Sequence, residues 1–272
     1  MSATAAQDTA QPLAPAPSPR LHPLPHLVRA VWLRALRRRE LHVLLILMGL
    51  YILGALVMRV IGIDTPQTAR FIRGLGLQLA GLLSAILVIV LAGRQVPEEL
   101  ELRTIYPVLA RPVTRAQYLL GKAAPTFAAG LAALLLFVVF TLAVTPSLPY
   151  QHLAVLAQAL ALKAAALAML TALALWLSLR LPSAVAMLAA GAVYFVGAPV
   201  ANILAEAAGA GLAARWLTGL IPNFPLLGHL QRFVDGGPVL GPAAFAGLVA
   251  YAALFTAIFA ALALRRFNRM PL

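Results

Sequence analysis

The sequence predicts an all-α integral membrane protein with six transmembrane helices. An amphipathic interfacial helix precedes the first span, one cytoplasmic loop carries short helices of its own, and an outer re-entrant or interfacial hairpin precedes the last span. Three observations carry that expectation. Of 272 residues, 62% are hydrophobic and only 11% charged, against about 45–50% apolar and roughly 25% charged in soluble domains. Six apolar runs reach the length of about 20 residues that a helix needs to cross a hydrocarbon core about 30 Å thick. The 21 Lys and Arg residues gather at the ends of those runs rather than on a polar face. The net charge of +13 therefore points to membrane orientation and not to nucleic acid. There is no Cys, which excludes disulfides and thiolate metal sites.

Residues 1–25 are rich in Ala, Pro, Ser and Thr. They have no basic segment followed by an apolar one, so they are not a signal peptide; the prolines favour an extended, disordered cytoplasmic tail. The stretch "LVRAVWLRALRRRE" follows. Val28, Val31, Trp32, Ala35 and Leu36 fall on one helical face, with Arg29, Arg34, Arg37 and Arg38 mostly off it. A basic helix with Trp on its apolar side lies in the membrane interface and is drawn to anionic lipid.

The six runs, which make residues 26–272 one membrane domain, are Leu41–Ile61, Ile72–Gly93, Ala124–Thr145, Val155–Leu179, Ser183–Leu204 and Ala243–Leu264. Within lipid each must satisfy its own backbone, so each is a helix. Fifteen basic residues fall on the side of the two termini and the loop after the second span, and six on the other. That bias places both termini in the cytoplasm of a multi-pass protein of the inner (plasma) membrane.

The loop between the second and third spans, residues 95–122, holds Glu98, Glu99, Glu101, Arg103, Arg111, Arg115 and Lys122. Pro97 followed by two carboxylates suits the first turn of a helix, where the missing amide costs nothing and the acids complement the positive helix end. Leu102, Ile105 and Leu109 continue an apolar face, and Pro107 and Pro112 interrupt it. About thirty residues is long against the two to eight usual between helices. Short helices at the membrane surface, with their charges facing the cytoplasm, suit a docking surface better than a plain connector.

"EELELRT…LARPVTRAQYLLGK" resembles the loop after the second span in type-2 ABC transporter permeases, nearest the branch associated with multicopper-enzyme maturation. Glu99, Glu101, Thr104, Pro112, Thr114, Arg115, Gly121 and Lys122 match that pattern; Arg103 stands where Gly is usual, and Tyr106-Pro107 replace leucines. The resemblance implies that residues 95–122 form a coupling helix docking a separate cytosolic ABC ATPase, with Glu98, Glu99, Glu101, Arg103, Thr104, Arg111 and Arg115 at the contact. It implies a second permease subunit, identical or similar, and export as the direction of transport. ATP and Mg would be bound by the ATPase. The ATPase is expected to be a separate chain, because Gly121-Lys122 lacks the upstream glycine of a phosphate-binding loop, and no cofactor or metal site is expected in this one.

Residues 205–242 form the outer segment. Leu212, Trp216, Leu217 and Leu220 make a short amphipathic face, and Pro222 and Pro225 then break the chain. A hairpin with Trp216, Pro222, Asn223 and Phe224 at its turn fits, and the resemblance implies an outer gate there. Lys163 is the one charge well inside a run. It lies about 25 Å from Arg180 along a helix, and snorkelling to the outer interface is the expectation. Gly76, Ala80 and Ser84, and also Ala164, Ala168 and Ala172, form small-residue faces suited to subunit contacts. An ion- or proton-coupled carrier is the alternative reading, but no span holds a deep carboxylate. An enzyme is not expected: the chain has neither HExxH nor GxSxG.

Overall fold

Each of the six apolar runs forms a helix in the computed structural model, which describes residues 39–61, 65–101, 114–145, 153–207 and 222–270. The helices are α1 (Arg39–Val60), α2 (Pro66–Glu101), α3 (Arg115–Val144), α4 (Leu153–Ser178) and α5 (Ser183–Ala207), then a 3-10 turn (Phe224–Leu227), α6 (Leu230–Val234) and α7 (Pro242–Asn268). Among the described residues there is no strand. Four helices, α2, α3, α4 and α7, are long and apolar enough to cross a membrane, so the chain is a membrane protein. The interfacial helix with Trp32, Arg34, Arg37 and Arg38 lies outside the described residues, as do Arg103, Thr104, Arg111 and Trp216.

Local chemistry sets the helix starts. Pro66 and Pro242 occupy first-turn positions where no amide partner is needed. Thr65 accepts a hydrogen bond from the Thr68 amide at 3.2 Å ahead of α2. Thr114 caps α3 reciprocally: its hydroxyl accepts from the Gln117 amide and its own amide donates to the Gln117 side chain at 2.9 Å.

α2 and α4 form the centre. α2 packs on α3, α4 and α5, while α4 also takes α7; α6 lies across α2 and α4, and α1 sits outside against α2 and α3. Leu77, Val88, Val96, Leu162, Leu167 and Met169 are fully buried at this centre. Outward-facing apolar residues are exposed to what would be lipid, including Ile46, Leu50, Leu188 and Leu254. In water such a surface would aggregate; in a bilayer it costs nothing. The hydroxyls inside the bundle are satisfied by their own helices: Thr141 donates to the Phe137 carbonyl, Thr171 to Leu167 and Ser84 to Gly81.

Two departures from the sequence reading have physical causes. α2 continues through Pro97 to Glu101, where a new helical turn was expected to begin. The proline forgoes one intrahelical bond, from its missing amide to the carbonyl four residues back, but the residues on either side, Gln95 and Glu99, are both held by α3. The small face of α2 is also used up inside the chain. A Cβ on Gly76 would lie 2.3 Å from the Tyr51 hydroxyl and 2.6 Å from Thr141, and Ala80 and Ser84 are buried. This stripe brings α1 and α3 close to α2, and its residues are enclosed within the chain instead of facing a second subunit.

On α3, Gly130 does the same: its Cβ would fall 2.3 Å from Val88 Cγ2. Gly130→Val should therefore wedge α2 from α3 and cost about 1–3 kcal/mol. The check is the thermal unfolding midpoint of the detergent-solubilised protein, expected to fall by several degrees. An unchanged midpoint would mean the two helices do not meet at this distance.

Candidate docking site

α2 is 36 residues long, about 54 Å at 1.5 Å per residue. A bilayer core takes up only about 30 Å of that. The polar end from Arg94 to Glu101 therefore stands beyond the apolar stretch, carrying one end of the long loop. Thr114 and the first turn of α3 carry the other end. The loop's centre, 102–113, lies outside the described residues. What the structure describes is the joint that holds both of its ends.

At this joint Glu99 receives the Tyr118 hydroxyl at 2.5 Å and forms an ion pair with Lys122. One turn deeper, Gln95 donates to the Thr126 hydroxyl at 2.7 Å, and that hydroxyl donates to the Lys122 carbonyl at 2.9 Å. Gln95 and Glu99 are one turn apart on α2; Tyr118, Lys122 and Thr126 are one turn apart on α3. The antiparallel pair thus presents matched rows. α7 closes the third side. The Phe267 ring stacks on Tyr118 at 5.3 Å and 11°. Arg115 donates to the Phe267 carbonyl at 2.5 Å and lies 5.7 Å from its ring centre. Lys122 stands 5.6 Å from the Tyr118 ring centre.

The predicted contact residues therefore divide. Glu99 and Arg115 turn into the joint and are part of its framework. Glu98 lies on the same turn, half-buried, and Glu101 ends α2. Arg103, Thr104 and Arg111 are in the loop's centre, outside the described residues. Sequence reasoning missed Gln95, Tyr118, Thr126 and Phe267. The first three carried a usable signal, polar groups at four-residue spacing on two facing apolar helices. Phe267 carried none, because nothing in its neighbourhood marks it from the other apolar residues of α7.

The opposite end of the bundle is built differently. Asn223 donates its amide to the Tyr251 hydroxyl at 2.9 Å, and Phe224 is buried against Tyr194 at 5.1 Å between ring centres. Pro222 precedes them, half-buried. The Gln158 side chain clamps Leu240, donating to its carbonyl and accepting from its amide at 3.1 and 2.9 Å. Lys163 does not snorkel outward. It is buried, donates to the Tyr194 hydroxyl at 2.9 Å and touches the space left by Gly81, where a Cβ would lie 3.0 Å from Lys163 Cε. Tyr194, which holds Lys163, is itself packed against Phe224. His229 Nδ1 is buried with no hydrogen-bond partner; burial and then Arg232 hold its pKa below the ordinary value.

Two tests follow. Because Glu99 and Lys122 keep 16% and 10% side-chain exposure, Glu99→Gln or Lys122→Met should each cost about 1–3 kcal/mol, less than for a fully buried pair. The double variant should cost less than the two singles together, read from unfolding of the purified chain. At the other end the lowered His229 pKa means that protonation favours the unfolded state. The ordering of residues 222–240 should hold above about pH 6.5 and weaken as pH falls below it. Hydrogen exchange of this segment checks that, and His229→Gln should remove the dependence.

The family described as "Protein of unknown function (DUF2705)" matches residues 43–272. The match takes in well over half of the chain, which therefore belongs to that family. No curated protein matches the chain.

Proposed function

We propose that this member of the DUF2705 family is the membrane-spanning permease subunit of an ATP-driven transporter, worked through the loop 95–122 by a separate cytosolic ABC ATPase. The observation that carries this reading is the joint beneath the loop. Both loop ends are fixed to one another by Glu99, Tyr118 and Lys122, and α7 is tied to the same point by Arg115 and Phe267. A protein pressing on the loop would move three helices together instead of bending a loose connector. The matched motif residues add support, since Arg115 and Lys122, which carry the resemblance to type-2 ABC permeases, are both bonded at this joint and Thr114 caps the helix that bears them.

In this reading six helices cross the inner membrane, α1 and α5 joining the four long ones. Both termini and the loop are cytoplasmic. A second permease subunit, the same or similar, completes the pathway, and transport runs outward. ATP and Mg belong to the ATPase. The outer segment around Pro222, Asn223 and Phe224 closes the far end. An ion- or proton-coupled carrier has less support: Glu99 is engaged by Lys122 and Tyr118 at the end of the bundle instead of lying deep within it.

The experiment is co-purification of the tagged chain with a cytosolic ABC ATPase from the cell that makes it. Arg103→Glu with Arg111→Glu, and separately Glu98→Lys with Glu101→Lys, should lower recovery of the complex by tenfold or more and abolish coupled ATP hydrolysis, roughly 1.4 kcal/mol being worth each factor of ten. Glu99 is left alone because its change would loosen the joint. Full recovery and coupling in both variants would remove the loop as the contact. A periplasmic reporter signal from a fusion after Leu272 would overturn the six-span topology.

A further inference from the structure

An apolar groove of about 430 Å³ runs between α3, α4 and α7. Its walls are rich in alanine, with Ala116, Ala123, Ala168, Ala172 and Ala260 among them, between larger leucines and Phe127. On α3 the lining extends from residue 116 to residue 127, about 16 Å of helix rise and close to half of a hydrocarbon core about 30 Å thick. The groove therefore has the depth of one leaflet. It opens sideways on helices long and apolar enough to span a membrane.

All three walls end in arginine at the same end. α3 begins with Arg115, Arg180 follows α4, and α7 ends with Arg265, Arg266 and Arg269. Arg180, Arg265, Arg266 and Arg269 are exposed, and none has a carboxylate partner among the described residues. Arg180 lies over the Trp176 ring at 4.7 Å, and Arg115 is turned to Phe267. The acid within the joint, Glu99, is taken by Lys122.

We infer that this groove binds an anionic phospholipid, one acyl chain lying along the alanine walls and the phosphate headgroup at the arginine rim. Charge decides the occupant. A second copy of the chain, inserted in the same orientation, would bring an equally basic end against this rim. An anionic headgroup neutralises it, and guanidinium groups suit a phosphate geometrically. In the orientation proposed above this is the cytoplasmic leaflet, whose surface is negative. The inference itself needs only a membrane-inserted chain, so it stands or falls apart from ATPase docking.

The test uses the full chain in mild detergent, stripped of lipid and then offered equal amounts of phosphatidylglycerol and phosphatidylcholine, with bound lipid counted by native mass spectrometry. The wild type should retain phosphatidylglycerol over phosphatidylcholine by roughly tenfold or more. The triple variant Arg180→Gln, Arg265→Gln, Arg266→Gln leaves the groove intact and should lose the preference. Ala168→Leu with Ala260→Leu fills the groove and should lose retention of both lipids. Equal retention of the two lipids by the wild type overturns the inference, as does wild-type retention by the filled variant. The chain has no Cys, so Ala168→Cys adds a single thiol. A disulfide-linked dimer through it in membranes would show that a second copy occupies the groove, which also overturns the inference. Should the filled variant fail to fold, the arginine variant and the lipid preference still decide the matter.

Discussion

The Glu99 carboxylate is the point on which the loop-bearing end of this protein depends. It sits where α2 leaves the apolar bundle and takes a phenol and an ammonium from α3. Its side chain keeps only 16% exposure, so both partners help to offset the lost hydration. Tyr118 in turn stacks on Phe267, so one side chain ties α2 and α3 directly and α7 at second hand. The long loop is thereby held at a fixed separation whatever its own conformation. That is the mechanical condition for a loop to pass force into helices.

The joint could not form without the spacing set deeper in the bundle. Gly130 opposite Val88 and Gly76 against Tyr51 and Thr141 hold α2 close to its neighbours, and close approach is what brings Gln95 to Thr126 and Glu99 to Lys122. Packing of small residues is the main cohesive term available where lipid removes the hydrophobic drive between helices. The outer end relies on hydrogen bonds without a described ion pair: the Gln158 clamp on Leu240, Asn223 on Tyr251, and Lys163 on the Tyr194 phenol. The two ends therefore differ in kind. One is an ionic clasp at the base of a charged loop. The other is a lid of short elements, Phe224–Leu227 and Leu230–Val234, packed on α2, α4 and α5.

Much of the helical framework was legible in the sequence because length and apolar composition are properties of single segments. All six runs are helices, although two of them begin well ahead of their apolar runs, at Pro66 and Arg115. Relations between segments were not legible. Pro97 looks like a helix start, yet α3 holds both sides of it and the helix runs on. Lys163 reads as a snorkelling residue until folding brings Tyr194 to it. The stripe of Gly76, Ala80 and Ser84 is equally suited to a partner inside or outside the chain, and only packing shows that α1 and α3 use it. Glu99 was legible as a special residue by its place in the motif. Its direction was not, because that depends on Tyr118 and Lys122 being brought opposite by antiparallel packing.

The central claim is that the joint transmits motion as one rigid unit, and a cross-link across it tests this most directly. Gln95 and Thr126 face one another at 2.7 Å in a chain without Cys, so Gln95→Cys with Thr126→Cys can be bridged by a short thiol reagent after assembly with the ATPase in vesicles. If α2 and α3 move together, the bridged complex keeps its ATP-driven activity at the level of the unbridged one. Activity lost on bridging and restored on release, with the ATPase still bound throughout, would show that the two helices part during the cycle and would contradict the account.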